Sequence, residues 1–275
     1  MSTVAAPALD ATAARIREHI VTMCAGAEGG HLGGSLSLVE VLTALYFAVL
    51  NVDPADPRDP DRDVMLLSKG HGAVGLYAAL AERGFFDPAE LAGFGAWGSR
   101  LMAHPVRAVP GVELPTGSLG HGLGLGAGFA LAARLDGRHR RTYVVIGDGE
   151  LQEGSVWESA MGAAALNLDT LVAVVDRNGL QITGPTEDIC PLEPLAARWR
   201  SFGWAVREAP GHDLPALVEH LGGAPWEPGR PSVLIADTTK GAGLPFIAGK
   251  VHSHYATLSA RQLSRARAAL EAHRD

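Results

Sequence analysis

The spacing of apolar positions along the chain predicts strands alternating with helices. Residues 10–23 place apolar side chains at helical intervals, with Asp10 or Thr12 as the N-cap. Residues 37–50 predict a second, strongly apolar helix, 70–83 a third, and the Gly/Ala-rich stretch 122–135 a buried one. Further helices are expected over 155–166, 192–202, 214–221 and 259–273; in the first of these Ser155 and Glu158 have the spacing of a capping box. Between the helices, 64–67, 142–146, 170–175, 204–208 and 232–237 predict strands. Most of these strands are continuous Val/Ile/Leu runs, which marks a parallel sheet buried on both faces. The expected architecture is a doubly wound α/β fold: one domain over residues 1–275, with a mostly parallel sheet and helices on both faces.

Three stretches lack any period. Residues 51–63 hold three prolines and five aspartates and read as a surface loop. Residues 94–115 and 238–257 are long loops, and loops of that length in compact domains usually carry function.

Composition narrows the classes. The chain has 275 residues with 23 Lys+Arg against 30 Asp+Glu, a net charge of -7. That balance gives no basic face for nucleic acid. No apolar run approaches the ~20 residues needed to span a bilayer, and the first ten residues lack a signal-peptide pattern, so a cytoplasmic location is expected. Two cysteines, Cys24 and Cys190, are too few for a disulfide framework and are expected to be buried thiols. The 34 glycines cluster at 29–34, 117–128 and 147–154, where backbone is expected to lie close to something else.

Chemistry is expected where two strands end. The run Val144-Val145-Ile146 leads into Gly147-Asp148-Gly149-Glu150, and Val174-Val175 leads into Asp176-Arg177-Asn178-Gly179. Asp148 and Asn178 are thirty positions apart, the length of one βαβ unit, so adjacent parallel strands would deliver both side chains to one sheet edge. A carboxylate and an amide oxygen are hard ligands that suit Mg²⁺ or Ca²⁺, not zinc. Glycines beside them allow backbone N–H groups to approach phosphate, so the combination reads as a metal-bridged diphosphate site. Gly-Asp-Gly by itself also fits a plain turn; Asn178 at this spacing favours the metal.

Gly147-Asp148-Gly149, followed by Leu151-Gln152-Glu153-Gly154 and Asn178, resembles the thiamine diphosphate motif in its transketolase form. Further segments along the chain match the same family: Gly30-His31-Leu32-Gly33-Gly34-Ser35, Ser68-Lys69-Gly70-His71-Gly72, His104-Pro105, Thr116 to Gly122, and Lys240-Gly241 followed by His252 or His254. The resemblance implies that Asp148, Asn178 and the Leu180 carbonyl hold Mg²⁺ (or Ca²⁺ or Mn²⁺). It implies that thiamine diphosphate meets His71, Gly117, Ser118, Leu119, Gly147, Gly149, Glu150 and His254. His31, His71, His104 and His254 would be catalytic, with His31 and His104 facing the hydroxyls of a ketose donor. Glu153 would lie at a partner interface. Histidine suits proton transfer near neutral pH. His254 is preferred to His252 because His254-Tyr255 keeps the local pattern, while His121 and Ser253 stand where the family usually has Gln and Trp. His19, His139, His212, His220 and His273 receive no role.

The resemblance ends with the diphosphate-binding part, and no motif of a pyrimidine-binding domain follows before Asp275. The expectation is therefore the N-terminal subunit of a split transketolase, moving a two-carbon ketol unit from a ketose to an aldose. It would be completed by a C-terminal subunit in a heterotetramer and be inactive alone. A 1-deoxyxylulose-5-phosphate synthase-like or 2-oxo acid decarboxylase half, or a non-catalytic cofactor-binding subunit, remain as alternatives.

Overall fold

The apolar runs of the sequence pair side by side in the computed structural model, which describes residues 6–272. Strands β1 (Val64–Leu67), β2 (Thr142–Gly147), β3 (Leu171–Arg177), β6 (Ala205–Pro210) and β7 (Ser232–Asp237) form a five-stranded sheet in the order β1-β2-β3-β7-β6. Every pairing in it is parallel. A separate two-stranded antiparallel hairpin, β4 (Leu180–Gln181) and β5 (Gly184–Pro185), lies beyond the end of β3.

Strand residues alternate between two cores, as the pleat requires. Tyr143, Val145, Val172, Val174 and Leu234 face a layer built by α1 (Ala6–Met23), α3 (Val39–Ala44), α4 (Ala73–Arg83), α9 (Leu214–Gly222) and α10 (Ala260–Glu271). Val144, Ile146, Ala173, Val175 and Val233 face α5 (Gly122–Leu135), α6 (Gly154–Ala165) and α8 (Leu195–Ser201), where Trp199 and Trp204 are fully buried. The doubly wound, mostly parallel arrangement read from the sequence is the one observed.

Several local expectations give way to tertiary contacts. Asp10 and Thr12 lie inside α1 and do not cap it; the Thr12 hydroxyl donates to the Ala8 carbonyl, 2.9 Å away. The apolar stretch 37–50 is not one helix. A short helix α2 (Leu32–Leu36) begins directly after His31, the chain turns at Ser37-Leu38, and α3 passes into a π-helical turn over Leu45–Val49. The turn lets the Ser37 hydroxyl donate to Asp176 at 2.7 Å. Helix α5 is not wholly buried. Gly122, Gly126 and Ala130 face the sheet, while Leu125 and Leu135 are exposed. A Cβ on Gly126 would stand 2.3 Å from Val144, so glycine there sets how closely α5 lies on the sheet.

The capping box at Ser155 is absent. Glu153 is the N-cap of α6, and the Ser155 hydroxyl instead donates to the Gly120 carbonyl at 3.0 Å. A capping box does form at α10, between Ser259 and Gln262. His273, the expected end of that helix, lies outside the described residues. Helix α8 starts at Leu195, after Pro194, not at 192. A helical turn α7 (Thr186–Ile189) and the β4-β5 hairpin fill a stretch for which the sequence predicts nothing. Cys24 is buried as expected, and burial pushes its thiol up to about 12; Cys190, against expectation, is exposed at the end of α7. Among the described residues no helix is long and apolar enough to cross a membrane.

Candidate active site

Parallel pairing of β2 with β3 sets Gly147 opposite Asp176. Asp148 and Asn178 therefore leave the sheet from neighbouring strands at the same, carboxyl edge. The Asp148 carboxylate joins the two turns: Oδ1 accepts from Gly149 N at 2.8 Å, and Oδ2 from Gly179 N at 2.6 Å and Arg177 Nη1 at 3.3 Å. Asn178 donates through Nδ2 to Asp176 Oδ2 at 3.1 Å and accepts through Oδ1 from Leu180 N at 3.1 Å. Burial, followed by the nearby Asp176 charge, pushes the Asp148 carboxyl above its usual range, against the pull of its two N–H donors and Arg177.

Asp148 and Asn178 line a cavity of about 360 Å³. His31, His71, His104 and His254 line it too, brought from four separate segments, as do Gly117, Leu119, Gly147, Gly149, Glu150, Leu180 and Glu153. Ser118 is exposed and does not line the cavity, and of the two late histidines His252 lies outside it. Both oxygens of Glu150 are occupied: Ser68 Oγ and Gly120 N donate to Oε1, and Gly147 N donates to Oε2 at 3.1 Å. Its observed part is thus to tie the glycine segment 117–120 to the end of β2. The loop carrying His104 is held by Tyr77, whose hydroxyl donates to the His104 carbonyl at 2.9 Å. A Cβ on Gly117, whose φ is +146°, would stand 2.9 Å from the His104 ring, so glycine keeps that approach open.

Two lysines to which the sequence alone assigns no role define the electrostatics. Lys69 is fully buried; its ammonium donates to Asp176 Oδ2 and, at 3.1 Å, to the Gly34 carbonyl. Lys240 donates to the Leu180 carbonyl at 3.1 Å and to His254 Nδ1 at 3.1 Å. An ammonium can only donate, so His254 accepts at Nδ1 and carries its proton on Nε2. Burial, followed by the charge of Lys69, lowers the Lys240 ammonium to about 8. Gln181 and Ile182, from the unforeseen hairpin, also line the cavity. Lys69 stands two residues past the buried β1 run, the one sequence signal that it is not a surface lysine.

His31, His71 and His254 are held neutral. His31 is lowered to about 4, by burial first and then by His104, Lys240 and Lys69. His254 is lowered to about 4 by burial, Lys240, His31 and Lys69, and His71 is depressed by burial and then by Lys69. This carries a stability consequence. Between about 6.5, the ordinary histidine value, and about 4, the unfolded chain binds protons at these positions that the folded chain refuses. Stability is therefore complete above the ordinary value and is lost as pH falls through that window. Thermal melts at pH 7 and pH 5 are expected to show a drop that is smaller by a few degrees in a His31→Gln variant; equal drops would contradict a neutral, buried His31.

The donor set fits a diphosphate with a hard divalent cation. Asp148, Asn178 and the Leu180 carbonyl offer oxygens only, and among the described residues no group of three His, Cys, Asp or Glu side chains is spaced to hold a metal. Such a cation would complete its shell from ligand oxygens, as Mg²⁺ does at phosphate sites. His31 Nδ1 and Gln181 Oε1 are buried without a hydrogen-bond partner, so the cavity retains unmet polar capacity.

Residues 10–274 match the family described as transketolase, thiamine diphosphate binding domain. One subunit of the apulose-4-phosphate transketolase of Actinobacillus succinogenes is 47% identical over 250 residues, covering 90% of each chain. The 6-deoxy-6-sulfo-D-fructose transketolase subunit SqwG of a Clostridium species is 44% identical, covering 88% of each. Among solved structures, a Pichia stipitis transketolase variant in complex with xylulose 5-phosphate superimposes with a TM-score of 0.89 at 29% identity, over 97% of this chain and 41% of that one. Leishmania mexicana transketolase gives 0.88 at 29% identity, over 98% of this chain and 42% of its own. The chain thus spans about two-fifths of these longer transketolases and about nine-tenths of the relatives that are themselves named as subunits. It belongs to the transketolase family and comprises that family's thiamine diphosphate-binding domain.

Proposed function

We propose that this chain is the cofactor-binding subunit of a two-chain transketolase acting on phosphorylated or similarly anionic sugars, and that residues 1–275 work as one domain. The observation that carries this reading is a single cavity at the carboxyl ends of β2 and β3 in which a hard-oxygen donor set, two lysines and four histidines meet. The relatives of matching length bear the names of subunits of sugar-phosphate and sulfosugar transketolases, which supports both the reaction class and a second chain.

In this reading Asp148, Asn178 and the Leu180 carbonyl hold Mg²⁺ against the diphosphate, and Lys240 and Lys69 offset its charge. When bound, thiamine diphosphate supplies the electron sink for breaking and making the carbon–carbon bond beside a carbonyl. The protein orients the sugar and moves protons. His31, neutral at physiological pH, accepts a proton from a donor hydroxyl, with His104 across from it at a ring separation of 5.5 Å. His254, with its proton on Nε2, donates toward developing oxygen charge, and His71, 5.2 Å away, packs behind it. Glu153, exposed at the start of α6, faces the partner. Most of the donor and acceptor selectivity resides in the second subunit, and the assembly is a heterotetramer in the cytoplasm.

Reconstitution tests this. The chain is mixed with a subunit carrying the pyrimidine-binding domain, thiamine diphosphate, Mg²⁺ and a ketose phosphate, and aldose release is followed. Turnover is expected from the mixture and none from either chain alone. Full turnover by this chain alone, or pyruvate consumption with no ketose consumption, would remove the proposal.

A further inference from the structure

Among the described residues, His31 is the one cavity histidine with a buried ring nitrogen that lacks a hydrogen-bond partner. His254 is fixed by Lys240, and the backbone of His104 by Tyr77. His31 Nδ1 is buried and has no partner. What surrounds its ring is other rings: His71 at 5.6 Å, His104 at 5.5 Å, His254 at 5.4 Å, and Tyr255 nearest at 4.9 Å and 86°. An edge-on pair at that separation is a favourable aromatic geometry, and it restricts rotation of the smaller ring.

Tyr255 is itself fastened. Its hydroxyl donates to the Glu28 carbonyl at 2.7 Å, closing the late loop onto the segment before His31. The two backbones are zipped beside it, with Gly30 N donating to Ala256 O at 3.0 Å and Ala256 N to Gly30 O at 2.9 Å. Gly29 and Gly33 make the approach possible, since a Cβ on Gly29 would stand 2.3 Å from the Thr257 hydroxyl and one on Gly33 2.4 Å from the Ser253 hydroxyl. Tyr255 stays 48% exposed and does not line the cavity. Among the described residues, no side-chain hydrogen bond or ring contact joins it to Asp148, Asn178, Leu180, Lys69 or Lys240.

We propose that Tyr255 is a positioning residue for His31: a hydroxyl-anchored ring that sets the imidazole's angle toward the donor sugar and takes no part in cofactor binding. The inference presupposes the ketose-transferring role above, so its test has one arm that does not depend on turnover.

In the full chain labelled with ¹⁵N-histidine, the His31 resonance is followed against pH, with His71, His104, His254, Lys69 and Lys240 as the charged or titratable groups around it. Wild type is expected to titrate at about 4. Tyr255→Leu, which removes the ring, is expected to raise that midpoint by about one unit, as the imidazole gains water and rotational freedom. Tyr255→Phe, which keeps the ring, is expected to stay near wild type. In the reconstituted complex, Tyr255→Leu is expected to lower kcat/KM for the ketose about tenfold, with the affinity for thiamine diphosphate changed less than twofold, and Tyr255→Phe to recover most of the loss. An unmoved His31 midpoint in Tyr255→Leu overturns the inference, and so does an equal loss of cofactor affinity, which would mean general loop damage. A moved midpoint in a complex whose wild type turns over no ketose leaves the positioning role standing and removes the proposed function instead.

Discussion

Replacing Asp148 with alanine is expected to abolish Mg²⁺-dependent binding of thiamine diphosphate to the assembled enzyme, weakening it by more than about 100-fold. Asp148 is 2% exposed and stands at the end of β2, beside the turn that carries Asn178. It is the one carboxylate in the proposed metal shell, and the other two donors are neutral oxygens. A neutral pair cannot offset a divalent charge in a largely buried site, and two neutral oxygens leave the cation tethered through the diphosphate alone. Asp148→Asn is the finer test, because it keeps the side chain's shape and one of the two oxygens that accept from Gly149 and Gly179 N–H while removing the charge. It is expected to remain folded and to lose most of the Mg²⁺ dependence. Calorimetric titration of cofactor into the complex, with and without Mg²⁺, measures both. Affinity equal to wild type in either variant would strip Asp148 of its proposed role.

The second large effect concerns folding. Asp176→Asn is expected to lower stability by about 3–5 kcal/mol, which corresponds to a fall in Tm of roughly 8–15 °C for a chain of this size. Asp176 is fully buried and accepts from Lys69, Thr238, Ser37 and Asn178. Burial alone would raise its carboxyl, but the Lys69 charge and the three hydroxyl and ammonium donors outweigh it and hold it below the usual range. The amide would leave the Lys69 ammonium buried at 1% exposure with no counter-charge in hydrogen-bonding contact. The double variant Lys69→Met/Asp176→Asn is expected to recover much of the loss, because it removes the orphaned charge together with its partner. Thermal denaturation of the three variants decides. A single variant that melts with wild type would show that the pair contributes nothing, and a double variant worse than the single would show that Lys69 is stabilised by something other than Asp176.

Much of this site could be read before any coordinates. Strands 64–67 and 232–237 and helix 122–135 appear with the very boundaries that their apolar runs predict. The thirty-residue spacing of Asp148 and Asn178 is a βαβ repeat, and the sheet duly pairs the strands that carry them. Histidines embedded in glycine-rich segments do converge, because those segments lie at one edge of the sheet. Residues whose part depends on distant partners were not legible. Lys69 follows a buried run, but nothing in the sequence names Asp176, 107 positions away, as its partner. Ser155 has the spacing of a capping box, yet Gly120 captures its hydroxyl. Tyr255 is an ordinary exposed aromatic until Glu28 and His31 close around it.

The division has a physical basis. Periodicity and strand-end chemistry are local: burying a parallel sheet requires continuous apolar runs, and a ligand site at its edge requires polar residues where those runs stop. The amino-acid order alone therefore determined the layered architecture, the edge that carries chemistry and the residue types delivered there. Charge pairing and ring packing are contacts between segments far apart in the chain. Only the tertiary structure decided that two lysines stand among the histidines and depress His31, His71 and His254, that Glu150 staples a loop, that Ser118 and His252 lie outside the cavity, and that a tyrosine braces His31. Each of those outcomes turns on which distant group arrives within a few ångströms, and no local pattern encodes that.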